Sequence, residues 1–135
     1  MITDDDLIVQ AKDARRWAHA PYSNFNVGAA VLSSDGRVFT GCNIENSTYG
    51  LSMCAERVAI FKAVSGGASE ILKVAVVTDH EQLAPPCGCC RQMIWEFASD
   101  QTEVILANLL GDVRKYLIRD LLPDAFDARY LEGVS

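Results

Sequence analysis

Leu72-Lys73-Val74-Ala75-Val76-Val77 is the stretch on which the fold turns. It is short and almost continuously apolar, the pattern of a strand buried on both faces. A Pro-rich loop follows, then a helix predicted over residues 87–98. A second buried strand is predicted over residues 104–107. Working upstream, residues 54–65 read as a helix stopped by Gly66-Gly67. That helix is apolar nearly all round, which predicts a buried one. Before it, Phe25, Val27, Ala29 and Val31 alternate as one face of a strand. Asp35-Gly36 is a hairpin turn signal, and the return strand falls at about residues 37–44. At the start, Thr3 can cap a helix with Asp4, Asp5 and Asp6 in its positive first turn. Leu7, Ile8, Ala11, Ala14 and Ala18 recur there at helical spacing, and Pro21 stops the helix near Ala20. Downstream, Leu110-Gly111-Asp112 turns the chain. Strands alternating with helices predict a layered α/β domain, with helices on both faces of one sheet.

A chain of 135 residues is one ordinary domain, here 1–135. Half the residues are apolar, so a core burying roughly 70% of the unfolded surface is within reach without disulfides. The net charge of −6 argues against nucleic-acid polymers and anionic membranes as partners, because both are held through Lys and Arg. No stretch approaches the ~20 apolar residues needed to span a bilayer. The acidic first six residues do not form a signal peptide, so a cytoplasmic location is expected. Three of the five cysteines crowd into Cys87-Gly88-Cys89-Cys90. In a reducing compartment that pattern reads as metal or catalytic chemistry before disulfides.

Two motifs carry the chemistry: Cys54-Ala55-Glu56 and Pro86-Cys87-Gly88-Cys89-Cys90. Each sits where a helix is predicted to begin. Unpaired N–H groups and the partial positive charge there favour thiolates, the form that binds zinc. Cys87 and Cys90 are i and i+3, so their sulfurs share a face of the first turn, whereas Cys89 points elsewhere. Three thiolates, Cys54, Cys87 and Cys90, leave one position of a tetrahedral zinc open to water. Zinc lowers the pKa of such a water from ~15.7 towards ~7. Glu56 is placed to take that water's proton without being a ligand. The other reading of the cysteines is a structural zinc site closed by Cys42 or Cys89.

Beyond these motifs, Ala20-Pro21-Tyr22-Ser23-Asn24-Phe25-Asn26-Val27-Gly28-Ala29-Ala30, Gly41-Cys42-Asn43-Ile44-Glu45-Asn46, Cys54-Ala55-Glu56-Arg57, Pro86-Cys87-Gly88-Cys89-Cys90-Arg91-Gln92 and Leu121-Leu122-Pro123 occur in order. Together they resemble the small cytidine deaminases, in their homotetrameric three-cysteine branch. The resemblance covers nearly the whole chain. It implies a three-layer α/β/α sandwich around a mixed five-stranded sheet, with one Zn2+ per subunit. It implies a small-molecule nucleoside substrate, with cytidine and 2'-deoxycytidine hydrolysed to uridine and 2'-deoxyuridine in pyrimidine salvage.

By the same resemblance Asn43 and Glu45 hold the ribose, and two residues apart on a strand they project from one face. Phe25 packs on the pyrimidine and the Ala55 backbone N–H binds the base. Arg57 bonds the zinc thiolates, offsetting a site that is otherwise net −1. Tyr49 and Phe126 reach a neighbouring subunit's site. The implied mechanism has Glu56 protonate N3, hydroxide add at C4, and Glu56 carry a proton to the leaving amine. Two alternatives are a deaminase of a modified cytosine nucleoside such as blasticidin S, and a non-enzymatic zinc-stabilised binding module.

Taken singly, these residues read differently. Asn43 and Glu45 would be a solvated strand face, Phe25, Tyr49 and Phe126 ordinary aromatics, and Arg57 a surface charge. Arg91 and Gln92, next to the zinc cysteines, are candidates for supporting them. Trp17 and Trp95 read as packing, His19 and His80 as bystanders, and Cys42 and Cys89 as unligated thiols.

Overall fold

Apolar residues along the strands alternate between two separate clusters, and that alternation builds the layers. The computed structural model describes residues 1–132. Five strands form one sheet: β1 (Val27–Ser33), β2 (Val38–Cys42), β3 (Ile71–Thr78), β4 (Ala98–Ala107) and β5 (Val113–Leu117). Their order is β2-β1-β3-β4-β5. The β3–β4 pair is parallel and the other three are antiparallel. The sheet is therefore mixed, as expected.

Helix α1 (Asp4–Ala14) covers one face, where Leu7 and Ala11 meet Ala30, Leu32, Ala75, Val77 and Ile105. Helices α2 (Ala55–Ser65) and α3 (Gly88–Glu96) cover the other, where Ala59, Ile60 and Ile94 meet Ala29, Val31, Val74, Val76 and Val104. A short helix, α4 (Ile118–Leu121), follows β5. The three central strands are thus buried on both faces, which explains why β1 and β3 are almost wholly apolar.

Local signals set the ends. Thr3 Oγ1 accepts from the Asp6 N–H at 3.1 Å while Asp6 Oδ2 accepts from the Thr3 N–H at 2.9 Å, a reciprocal cap on α1. Gly36 takes a left-handed φ of 88° in the β1–β2 turn, and Gly111 one of 95° between β4 and β5.

Four expectations need correcting. The first helix ends at Ala14, not near Ala20: residues 15–17 tighten into a 3₁₀ turn. The chain beyond is drawn off to pair with residues 43–45, where the His19 N–H donates to the Asn43 carbonyl and the His19 carbonyl accepts from Glu45. Trp17 is then 72% exposed rather than packed. Helix α2 buries one face only, leaving Phe61 and Val64 open on the other. The helix expected over residues 87–98 closes at Glu96, because β4 begins at Ala98 to pair with Ile71.

Candidate active site

Cys54 and Cys87 are the residues that open α2 and α3, and neither side chain caps its own helix. Both sulfurs turn instead towards each other, 3.9 Å apart. Cys90, buried one turn into α3, completes a set whose sulfurs all lie within 4.8 Å of one another. Zinc–sulfur bonds of ~2.3 Å in a tetrahedron place sulfurs about 3.8 Å apart, so these three residues fit that metal. Cys42 and Cys89 stand outside the set as free thiols.

Arg57 Nη2 donates to Cys54 Sγ at 3.3 Å. The Cys54 thiol is pulled down to about 5, first by the Cys90 thiol donating to it and then by Arg57, against the opposing effect of burial. Cys90 is pushed up, as the donor of that bond and by its burial. Glu56 lies beside these cysteines and is 5% exposed. Burial pushes its carboxyl up to about 7, with the Cys54 charge adding to the effect.

Cys54, Cys87 and Glu56 line a cleft of about 380 Å³. That size suits a small organic ligand. Phe25, Asn43, Glu45, Ala55 and Arg57 also line it, joined by Thr78 from β3 and Pro85 from the loop before α3. The Asn43 side chain grips the backbone around Phe25: its Oδ1 accepts from the Val27 N–H at 2.9 Å, and its Nδ2 donates to the Phe25 carbonyl at 2.7 Å. Glu45 accepts from the Tyr22 and Ser23 N–H groups, both at 3.1 Å, and from the Ser23 hydroxyl. The hydroxyl is the largest of the contacts that hold its carboxyl below the usual range.

Tyr49 and Phe126 do not line this cleft. They are 74% and 57% exposed, Tyr49 edge-on to Tyr22 and Phe126 stacked on Tyr130. Arg91 supports the site from behind: it donates to the Pro86 carbonyl and to the Leu121 carbonyl, each at 2.8 Å, tying the loop before Cys87 to α4. Gln92 donates to the Phe126 carbonyl at 2.7 Å.

Sequence reasoning passed over Ser23, Thr78 and Asp79. Ser23 links Glu45 to the Phe25 N–H, which donates to its hydroxyl at 3.1 Å. The Thr78 hydroxyl is buried at the cleft wall without a partner among the described residues. Asp79 follows β3 directly, and a carboxylate at the end of a buried strand was the one available signal. His80, read as a bystander, meets Phe25 edge-on with ring centres 6.5 Å apart.

Residues 1–107 match the family described as the cytidine and deoxycytidylate deaminase zinc-binding region. The cytidine deaminase of Halalkalibacterium halodurans is 50% identical over 122 residues, covering 90% of this chain and 92% of that one. That of Mycobacterium tuberculosis is 44% identical over 116 residues, covering 86% and 84%. The crystal structure of cytidine deaminase from Burkholderia pseudomallei superposes with a TM-score of 0.88 at 50% identity, covering 92% of this chain and 99% of that one. With a fold, a three-sulfur cluster and a matching profile in agreement, the chain belongs to the zinc-binding cytidine and deoxycytidylate deaminase family.

Proposed function

We propose that this chain hydrolyses the 4-amino group of cytidine and 2'-deoxycytidine, releasing ammonia and leaving uridine or 2'-deoxyuridine. The observation that carries this reading is a buried carboxyl, Glu56, beside a three-sulfur cluster in a nucleoside-sized cleft. Relatives named cytidine deaminase, at 44–50% identity over most of both chains, support the same substrate.

Cys54, Cys87 and Cys90 would hold zinc, which would supply Lewis acidity and lower the pKa of a bound water towards ~7. The remaining work falls to side chains. Phe25 offers a flat apolar face to the pyrimidine, and Asn43 and Glu45 offer a donor and an acceptor to a sugar hydroxyl. The Ala55 N–H, first in α2 and so free of any helical partner, donates to the base. Glu56 protonates N3, which draws electrons from C4. The water oxygen adds to C4 and its proton passes to Glu56. Glu56 returns that proton to the amine, the C4–N4 bond breaks, and the second proton of the added water passes to Glu56 as the new oxygen becomes a carbonyl, which restores the carboxyl. A carboxyl poised near 7 can both give and take at neutral pH.

In this reading Tyr49 and Phe126, exposed on their own chain, complete the sites of neighbouring subunits in a homotetramer. Phe61 and Val64 give such an assembly an apolar face. Among the described residues no helix is long and apolar enough to cross a membrane. A cytoplasmic role in pyrimidine salvage suits thiols that must stay reduced.

The test is to follow the ultraviolet change of cytidine to uridine with and without a strong chelator. Turnover lost on chelation and restored by zinc is the expected result. A zinc-loaded protein inert towards cytidine and deoxycytidine would overturn the reading. Cytosine, CMP and blasticidin S in the same assay separate this substrate class from its neighbours. Light scattering gives the mass, expected at four chains of 14.8 kDa.

A further inference from the structure

The aromatic wall of the cleft is carried by a loop, and that loop is tied down from outside the cleft. Phe25 precedes β1, and the residue before it, Asn24, has a left-handed φ of 57°. The backbone of residues 25 and 27 is held by Ser23 and Asn43 as already described. Between them the N–H of Asn26 donates to Asp79 Oδ2 at 3.3 Å. The second oxygen of the same carboxylate is held by Arg15 Nη1 at 2.5 Å. Arg15 comes from the end of α1, on the opposite face of the sheet from the sulfur cluster. Its backbone is pressed against β1: a Cβ on Gly28 would stand 2.6 Å from Arg15 N. Arg15 and Asp79 are only 22% and 29% exposed. The pair therefore forms a strut from α1, across the end of β1, to the end of β3. The backbone amide beside Phe25 hangs on it.

We propose that Asp79, braced by Arg15, is a positioning residue for this reaction: it fixes the Asn26 amide and thereby sets the Phe25 ring against the substrate's base. The inference rests on the reading of Phe25 as the base-stacking wall. Asp79 touches neither substrate nor sulfur in this account. Its loss acts on binding and leaves proton transfer at Glu56 intact. A displaced aromatic costs binding in ground and transition states alike, so KM rises while kcat holds.

The experiment measures kcat and KM for cytidine in the zinc-loaded full chain, for the parent, Asp79→Ala, Asp79→Asn, Phe25→Ala and Asp79→Ala/Phe25→Ala. Asp4→Ala serves as a control that removes a comparable ion pair from α1 far from the cleft. Expected for Asp79→Ala is a KM raised roughly tenfold, with kcat within about twofold and zinc content unchanged. Asp79→Asn keeps an acceptor for the Asn26 amide and recovers part of the loss. In the Phe25→Ala background the Asp79 substitution adds nothing further, because its effect runs through that ring. Asp4→Ala lowers the melting temperature and leaves KM alone. A KM for Asp79→Ala within twofold of the parent overturns the inference. So does an equal further rise in the Phe25→Ala background, or a fall in kcat accompanied by zinc loss. A parent chain that does not turn over cytidine would instead overturn the substrate reading on which the inference stands.

Discussion

Arg57 Nη2 stands 3.3 Å from Cys54 Sγ, three residues along the same face of α2. Three thiolates on a divalent zinc leave a net charge of −1, and this guanidinium is the nearest offset. Arg57 is itself held more firmly protonated by the contact. Arg57→Ala is expected to weaken zinc binding roughly 10–100-fold. Competition against a coloured chelator reads this directly. A variant that holds zinc as tightly as the parent would show that the guanidinium does not support the thiolates.

Glu56→Gln keeps the shape of the buried side chain and removes its proton exchange. Turnover is expected to fall by roughly 10²–10⁴-fold, with zinc content unchanged. The chelated protein offers an independent check. Burial raises the Glu56 carboxyl from 4.5 to about 7, so the folded chain prefers it protonated. That preference is fully present below pH 4.5 and is lost as pH climbs through 7. Above pH 7 the metal-free Glu56→Gln protein is therefore expected to melt higher than the metal-free parent, and below pH 4.5 the gap closes. Equal melting curves at pH 8 would show that Glu56 ionises there without cost.

The Glu56 and Cys54 positions were legible because two residues at a helix start must share its first turn, and Cys87 and Cys90 because i and i+3 share a face. The strands were legible because a sheet covered on both sides needs unbroken apolar runs such as the one from Val74 to Val77. The Arg15–Asp79 strut was not, since 64 residues separate partners that only the sheet order brings together. The early end of α1 was hidden for a related reason. Helical spacing runs on to Ala18, but pairing of His19 with residues 43–45 outweighs it. Nor could apolar content say which side of α2 stays open, because Phe61 and Ile60 read alike until the sheet is placed.

Asp4 couples the start of α1 to two strands. Its carboxylate meets Lys73 at 2.6 Å and Lys115 at 2.8 Å, and both lysines also reach Glu103. Lys115 and Lys73 hold the Asp4 carboxyl below its usual 3.8, so its contribution is present above that pH and is lost as pH falls through the lower folded value. The lysines are raised above 10.5, so their part is lost only as pH climbs past that point. Asp4→Asn is expected to cost about 0.5–1 kcal/mol, given the exposure of these pairs. The gap in melting temperature should be widest between about pH 5 and pH 9 and vanish in strong acid. A pH-independent gap would trace the loss to the helix start rather than to the charge.

Gly28 marks where α1 and β1 touch backbone to backbone. A Cβ there would lie 1.9 Å from the Ala11 carbonyl oxygen and 2.6 Å from Arg15 N. Both are main-chain atoms of the helix end, so no side chain can swing aside to relieve the clash. Gly28→Ala must lift that end of α1, and overpacking of this kind costs typically 1–3 kcal/mol or more. Gly50→Ala, where an added Cβ meets nothing within 4 Å, is the matched control and is expected to be near neutral in melting temperature. The clash also falls on Arg15, the anchor of the Asp79 strut. Whatever Gly28→Ala protein folds should therefore show a raised KM for cytidine at normal zinc content. A destabilised variant with an unchanged KM would mean that α1 can shift without disturbing Phe25.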